Sequence, residues 1–161
     1  MGSIEFKLLI LIIVVNGIPI ILTRLFGRRL AAPLDCGLIL SDQHPLLGAS
    51  KTWRGLMGAI LVTPLMAVLL DISALIGLWI AVGAMGGDAL SSFIKRRLGK
   101  PSGSQALFLD QIPECVLPLL MVNSIFNLSL ATIALMTCAF IIFERFISWV
   151  LNKLTIRKHP Y

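Results

Sequence analysis

From near its start to about residue 152 the chain keeps returning to apolar runs long enough to fill the hydrocarbon of a bilayer, and that confines it to few architectures. Five such segments can be drawn, at 4–26, 55–72, 73–95, 112–128 and 130–152. A helix of about 20 residues crosses a hydrocarbon layer of about 30 Å, and inside that layer the backbone must satisfy its own hydrogen bonds. The expectation is an all-α polytopic membrane protein, a single domain over residues 1–161 with five transmembrane helices. Composition agrees, since only 14% of residues are charged and 57% are hydrophobic, against about 25% charged in a soluble domain. No long linker, low-complexity tract or internal repeat interrupts the pattern.

The cations fix an expected orientation. Arg24, Arg28, Arg29, Lys51 and Arg54 surround the first long loop, and Lys95, Arg96, Arg97 and Lys100 the second. Arg145, Lys153, Arg157 and Lys158 sit toward the C-terminal end, whereas the other side has only Lys7. By the positive-inside rule the N-terminus lies outside, and both long loops and the C-terminus face the cytoplasm. Loop orientation therefore accounts for the net charge of +6 without nucleic acid. The apolar core of the first segment is too long for a cleaved leader and is read as a retained span. Cys36, Cys115 and Cys138 have no metal-binding spacing and read as small packing residues.

The third segment breaks its own pattern with MGGDALSSFIKRR, residues 85–97. On a helix Asp88, Ser91, Ser92 and Lys95 share one face, and the stripe continues into Arg96, Arg97 and Lys100. An ionisable group inside a span costs a few kcal/mol, so it faces a partner or a cavity. A pair between Asp88 and Lys95 or a nearby arginine is the plain structural reading. Two more clusters bear on the choice. HPLLGASKTWRG places Ser50, Lys51, Thr52 and Arg54 where the second helix starts, a set that suits phosphate oxygens or simple capping. SGSQALFLDQIPE places Asp110 and Glu114 four apart at the start of the fourth. Such a pair caps a helix or holds Mg²⁺, which takes one or two carboxylates together with substrate phosphates. Carboxylates, hydroxyls and cations gathered at one membrane face suit a divalent metal and a nucleoside triphosphate.

Gly87-Asp88-x-x-Ser91-Ser92-Phe93-x-Lys95-Arg96-Arg97, with Asp110 after it and Gly48-x-Ser50-Lys51-Thr52-Trp53-Arg54-Gly55 before it, resembles the CDP-archaeol synthases, archaeal relatives of the CDP-diacylglycerol synthases. The resemblance covers about residues 16–115 and implies a five-span membrane enzyme with its active site on the cytoplasmic side. It implies Mg²⁺-dependent transfer of CMP from CTP to di-geranylgeranylglycerol phosphate, a lipid phosphate with isoprenoid ether chains, releasing pyrophosphate. It further implies that Asp88, Asp110 and Glu114 form the metal-binding group, with Lys95 beside them in catalysis. Lys51, Arg54, Lys95, Arg96, Arg97 and Lys100 would hold phosphates, and Ser50, Thr52, Ser91 and Ser92 would donate hydrogen bonds. Two departures separate the chain from the diacylglycerol branch: Pro113 stands where that branch has a second aspartate, and Arg54 where it has a glutamate.

The lipid phosphate is already anionic near neutral pH, so no strong base is needed, and His44 and His159 lie in a loop and near the C-terminus. Transfer of this kind leans on positioning and charge neutralisation. Asn16 and Pro19 in the first span mark a kink facing either the polar pocket, with Asn16 reaching the nucleotide, or another helix. Asp35 and Asp42 are loop charges, solvated or ordering the first loop. CDP-diacylglycerol synthesis is the nearest rival reading. A small ion transporter using Asp88 would need polar residues continuing to the outer face, where Thr63, Asn123 and Ser124 are scattered. A lipid-binding scaffold would explain the cations but not the carboxylates.

Overall fold

A computed structural model describes residues 2–155; Arg157, Lys158 and His159 lie outside the described residues. The chain forms α1 (Ser3–Phe26), α2 (Trp53–Leu69), α3 (Ala74–Arg97), α4 (Gln111–Phe126) and α5 (Leu130–Thr155). Among the described residues the only extended pairing is two isolated bridges, Pro33 with Thr52 and Ile39 with Pro45. The all-α expectation holds, with helix boundaries within about three residues of those read from the sequence. α1, α3 and α5 are long and apolar enough to cross a membrane, and α2 and α4 are shorter apolar helices.

Local chemistry sets the boundaries. α2 starts where Thr52, not Ser50, turns its hydroxyl onto the Gly55 N–H at 3.2 Å, satisfying one of the free donors of the first turn. Ser73 caps α3 in the same way at Leu75 N–H. α4 ends at Asn127, whose left-handed conformation lets its N–H reach Asn123 O. The Asn123 side chain then accepts from Leu128 N–H at 2.8 Å, closing the turn into α5. Pro19 leaves α1 unbroken from residue 3 to 26, and Thr23 Oγ1 donates to the Pro19 carbonyl at 2.8 Å.

α3 is the central helix, and glycines set its separation from both neighbours. A Cβ on Gly77 would come within 2.7 Å of Pro64 Cα on α2. On the opposite side Gly83 and Gly87, four apart, lie against the α4 backbone at Pro118 and Pro113. Close backbone approach through small residues is how helices associate where lipid removes the hydrophobic driving force. α5 packs on α4 and only lightly on α1. The core where these helices meet holds Leu8, Val15, Ile80, Leu119 and Met136 without solvent exposure.

The first loop, residues 27–52, is ordered around one buried carboxylate. Asp35 is buried and accepts N–H groups from Gly37, Leu47 and Gly48 at 3.0, 2.9 and 2.7 Å. Burial alone would raise its carboxyl, but these backbone donors outweigh it and hold the group below the ordinary 3.8. A depressed carboxyl stabilises the fold above the ordinary value, and that contribution is lost as pH falls through the depressed one. Asp35→Asn at neutral pH should therefore loosen residues 33–52 as acid does in the parent. Faster amide exchange at Gly48 and Lys51 in the variant would confirm it; unchanged exchange would refute it.

Candidate functional site

α2, α3, α4 and the two long loops converge on one cavity of about 580 Å³. Ser50, Lys51 and Thr52 reach it from the end of the first loop, Asp88 and Lys95 from α3, Asp110 from the second loop and Glu114 from α4. The loops are tied at its rim, where Ser50 N–H donates to Ser102 Oγ at 3.1 Å and Ser102 Oγ donates to Ser50 Oγ at 3.2 Å. Gly48 suits this junction: its φ of +93° is one that L side chains rarely adopt, and a Cβ would fall 2.7 Å from Ser102 Oγ and push it out of the tie.

The charges pair differently from the plain structural reading. Asp88 does not bond Lys95 one turn along its own helix; it takes Lys51, 37 residues earlier in the chain. Lys95 crosses instead to the second loop, 2.7 Å from Asp110 Oδ1 and 2.9 Å from Ser104 O. Asp110 Oδ2 accepts the Ala106 N–H at 2.9 Å, so the carboxylate shapes the loop instead of capping α4 with its side chain. Glu114 faces Asp88 and Lys51.

Sequence reasoning missed Glu144. It lies on α5, lines the same cavity and faces Asp110 and Asp88, with Gln111 and Arg145 also beside it. Its Oε2 is buried with no hydrogen-bond partner. The available signal was a lone acidic residue inside an apolar segment, the same feature that drew attention to Asp88.

Other expected site residues lie elsewhere. Arg54 fastens the first loop to the end of α1, donating to the carbonyls of Gly27 and Arg29 and to Thr23 Oγ1. Arg97 holds the middle of that loop through Asp42 and the carbonyls of His44 and Pro45, and sits over the Phe93 ring. Asp42 is therefore paired, not merely solvated. Arg96 is buried below Gly48, its Nε and Nη1 without partners. Ser91 bonds back to the Asp88 carbonyl at 3.0 Å, and Ser91 and Ser92 are buried. Lys100 is exposed beyond the end of α3. Arg54, Ser91, Ser92, Arg96, Arg97 and Lys100 do not line the cavity. Asn16 does, though its amide donates to the Ile12 carbonyl at 3.0 Å on its own helix.

The metal that the family resemblance implies would meet a mixed donor set here. Among the described residues no three His, Cys, Asp or Glu side chains stand in a ready metal-holding arrangement. Lysines occupy two of the carboxylates, Asp88 and Asp110. Glu114 and Glu144 have no ion pair among the described residues, although both line the cavity. All-oxygen donors with excess negative charge fit a hard divalent cation that keeps part of its shell for water and phosphate.

Residues 4–161 match the family described as CarS-like CDP-archaeol synthase. The chain is 38% identical over 103 residues to the CDP-archaeol synthase of Hyperthermus butylicus, covering 60% of this chain and 58% of that relative. It is 38% identical over 89 residues to the Pyrococcus furiosus CDP-archaeol synthase, covering 49% of this chain and 53% of that one. The chain thus spans little more than half the length of these two relatives. The Thermococcus kodakarensis CDP-archaeol synthase is 30% identical over 136 residues, with 78% of this chain and 77% of the relative covered. Among solved structures it is similar to an intramembrane enzyme of archaeal membrane lipid biosynthesis, with a TM-score of 0.77 and 25% identity. That similarity covers 88% of this chain and 90% of the other.

Proposed function

Because the chain belongs to the CarS-like CDP-archaeol synthase family, we propose that it transfers CMP from CTP to di-geranylgeranylglycerol phosphate, an isoprenoid ether lipid phosphate, and releases pyrophosphate. The observation that carries this reading is the cavity, in which hydroxyls and a lysine at the start of α2 face four carboxylates, with an apolar wall alongside. Five membrane crossings with the N-terminus outside and the loops cytoplasmic complete the proposal, supported by the grouping of Arg24, Lys51, Lys95 and Lys100 on the loop side.

In this reading the triphosphate lies between the start of α2 and Lys95. The Ser50 hydroxyl donates to a phosphate oxygen beside the N-terminus of α2, whose dipole adds to that attraction. Lys51 and Lys95 neutralise charge on the leaving pyrophosphate as the lipid phosphate oxygen attacks the α-phosphorus in line. The attacking phosphate brings its own negative charge, so the site removes no proton. Asp88, Asp110 and Glu114 would hold Mg²⁺, with Glu144 beside them, and the ion would supply charge neutralisation to the phosphates. Arg54 and Arg97 act through the loop they fasten, keeping Lys51 opposite Asp88.

Purified protein given CTP and the ether lipid phosphate with Mg²⁺ should release pyrophosphate, and EDTA should stop it. No release with either ether or ester lipid phosphates would overturn the proposal. Glu144→Gln should raise the Mg²⁺ concentration giving half-maximal rate about tenfold, as expected when a carboxylate beside a metal loses its charge. A Mg²⁺ titration of the variant checks this, and an unchanged midpoint removes Glu144 from the site.

A further inference from the structure

One wall of the cavity is apolar and comes from two helices that barely touch. α1 contributes Ile13 and Ile20, and α5 contributes Phe140, Phe143 and Ile147. Positions 140, 143 and 147 follow the spacing that puts side chains on one helix face. Phe140 is almost wholly buried. Ile20, Phe143 and Ile147 line the cavity and are 53%, 39% and 37% exposed. Apolar side chains left this uncovered, on two helices that touch only lightly, mark an opening in the wall. The other joints are tight: Gly77 meets α2, Gly83 and Gly87 meet α4, and Gly55 lies against Pro19 of α1.

We infer that the α1/α5 seam is a lateral portal, through which the phosphate of a two-chain lipid reaches the cavity while its tails stay in the hydrocarbon against Ile20, Phe143 and Ile147. The inference rests on the activity proposed above and adds the lipid's route and its contacts. The seam's chemistry selects this occupant. Its flanks are branched and aromatic side chains, which offer no donor to a triphosphate and suit a hydrocarbon chain. Arg24 lines the cavity from the last turn of α1 and is exposed, so a cation stands where an anionic headgroup would arrive. Sliding the phosphate sideways spares the transfer of both tails through water, which costs about 0.8 kcal/mol for each CH₂. The nucleotide needs a different approach, from the loop side past Ser50, Gly103 and Ser104.

The test uses full-length protein in lipid nanodiscs, with a photoreactive benzoylphenylalanine at Ile20 or Ile147 and, as control, at Leu65 on the outer face of α2. The probe is a dialkylglycerol phosphate labelled in its headgroup and mixed at low fraction into neutral lipid. Labelling at Ile20 and Ile147 should be competed by unlabelled dialkylglycerol phosphate and not by added neutral dialkyl lipid, whereas both should compete alike at Leu65. In a second measurement, Ile20→Trp combined with Phe143→Trp should raise KM for the lipid phosphate about tenfold and leave KM for CTP unchanged. Headgroup-blind competition at Ile20 and Ile147, or a double variant with unchanged lipid KM, would overturn the portal. If the parent protein releases no pyrophosphate, the proposed activity fails, while headgroup-selective labelling at the seam still decides the portal.

Discussion

Asp88→Asn should lower CMP transfer by about a hundredfold or more, the scale on which removing one charge-stabilising group from a dry active site is felt. The amide keeps the carboxylate's shape and loses its charge, so it neither holds Lys51 nor helps to hold a divalent cation. It also leaves the Lys51 ammonium without its partner in a part-buried place, where breaking a pair costs more than the pair contributes. Those two effects can be separated. Asp88→Asn combined with Lys51→Met removes both charges, and its thermal stability in detergent should return toward the parent's while transfer stays lost. Should the single variant keep more than about a tenth of parental activity, Asp88 is no part of the reacting centre. Labelled CTP incorporated into lipid is the measurement.

Gly87→Ala should be the most damaging of the small changes. The new Cβ would stand 2.3 Å from the Pro113 carbonyl oxygen and 2.8 Å from the Glu114 nitrogen. These are backbone atoms at the start of α4, with no flexible side chain to move aside. α4 must back away, at the overpacking cost of about 1–3 kcal/mol, and Glu114 moves away from Asp88 with it. Gly86 is an internal control, since a Cβ there meets nothing within 4 Å. Gly86→Ala should keep both melting temperature and transfer, while Gly87→Ala should lower the first by several degrees and most of the second. Equal behaviour of the two variants would show that the α3/α4 contact is not the constraint.

How much of this was legible in the sequence depends on how far apart the interacting residues lie along the chain. The helices were legible because hydropathy is local and each helix ends at a polar turn such as Ser73 or Asn127. Asp88 stood out for the same local reason, as a charge among apolar neighbours. Its partner did not, because spacing along one helix offers Lys95 whereas folding delivers Lys51 from the start of another. Arg54 and Arg97 illustrate the converse difficulty. A cation at a membrane edge reads equally well as topology signal, phosphate ligand or fastener, and only the carbonyls around these two mark them as fasteners. Glu144 was overlooked because its segment otherwise reads as plain hydrocarbon, and its companions Asp88 and Asp110 lie on other parts of the chain.

The Lys51–Asp88 pair also bears on how the chain comes to be in a bilayer at all. α2 and α3 are joined by a turn of four residues, 70–73, and the pair closes the open end of that hairpin. During synthesis α2 leaves the ribosome first, with Lys51 just ahead of it, and α3 follows carrying the carboxylate. Threaded singly, α3 would take a bare negative charge into hydrocarbon, and it is the least apolar of the three long helices. Inserted as a folded hairpin, the two helices would partition with that charge already neutralised and with Gly77 already seated against α2. The ion pair that lines the cavity would thus first serve as a passport for its own helix.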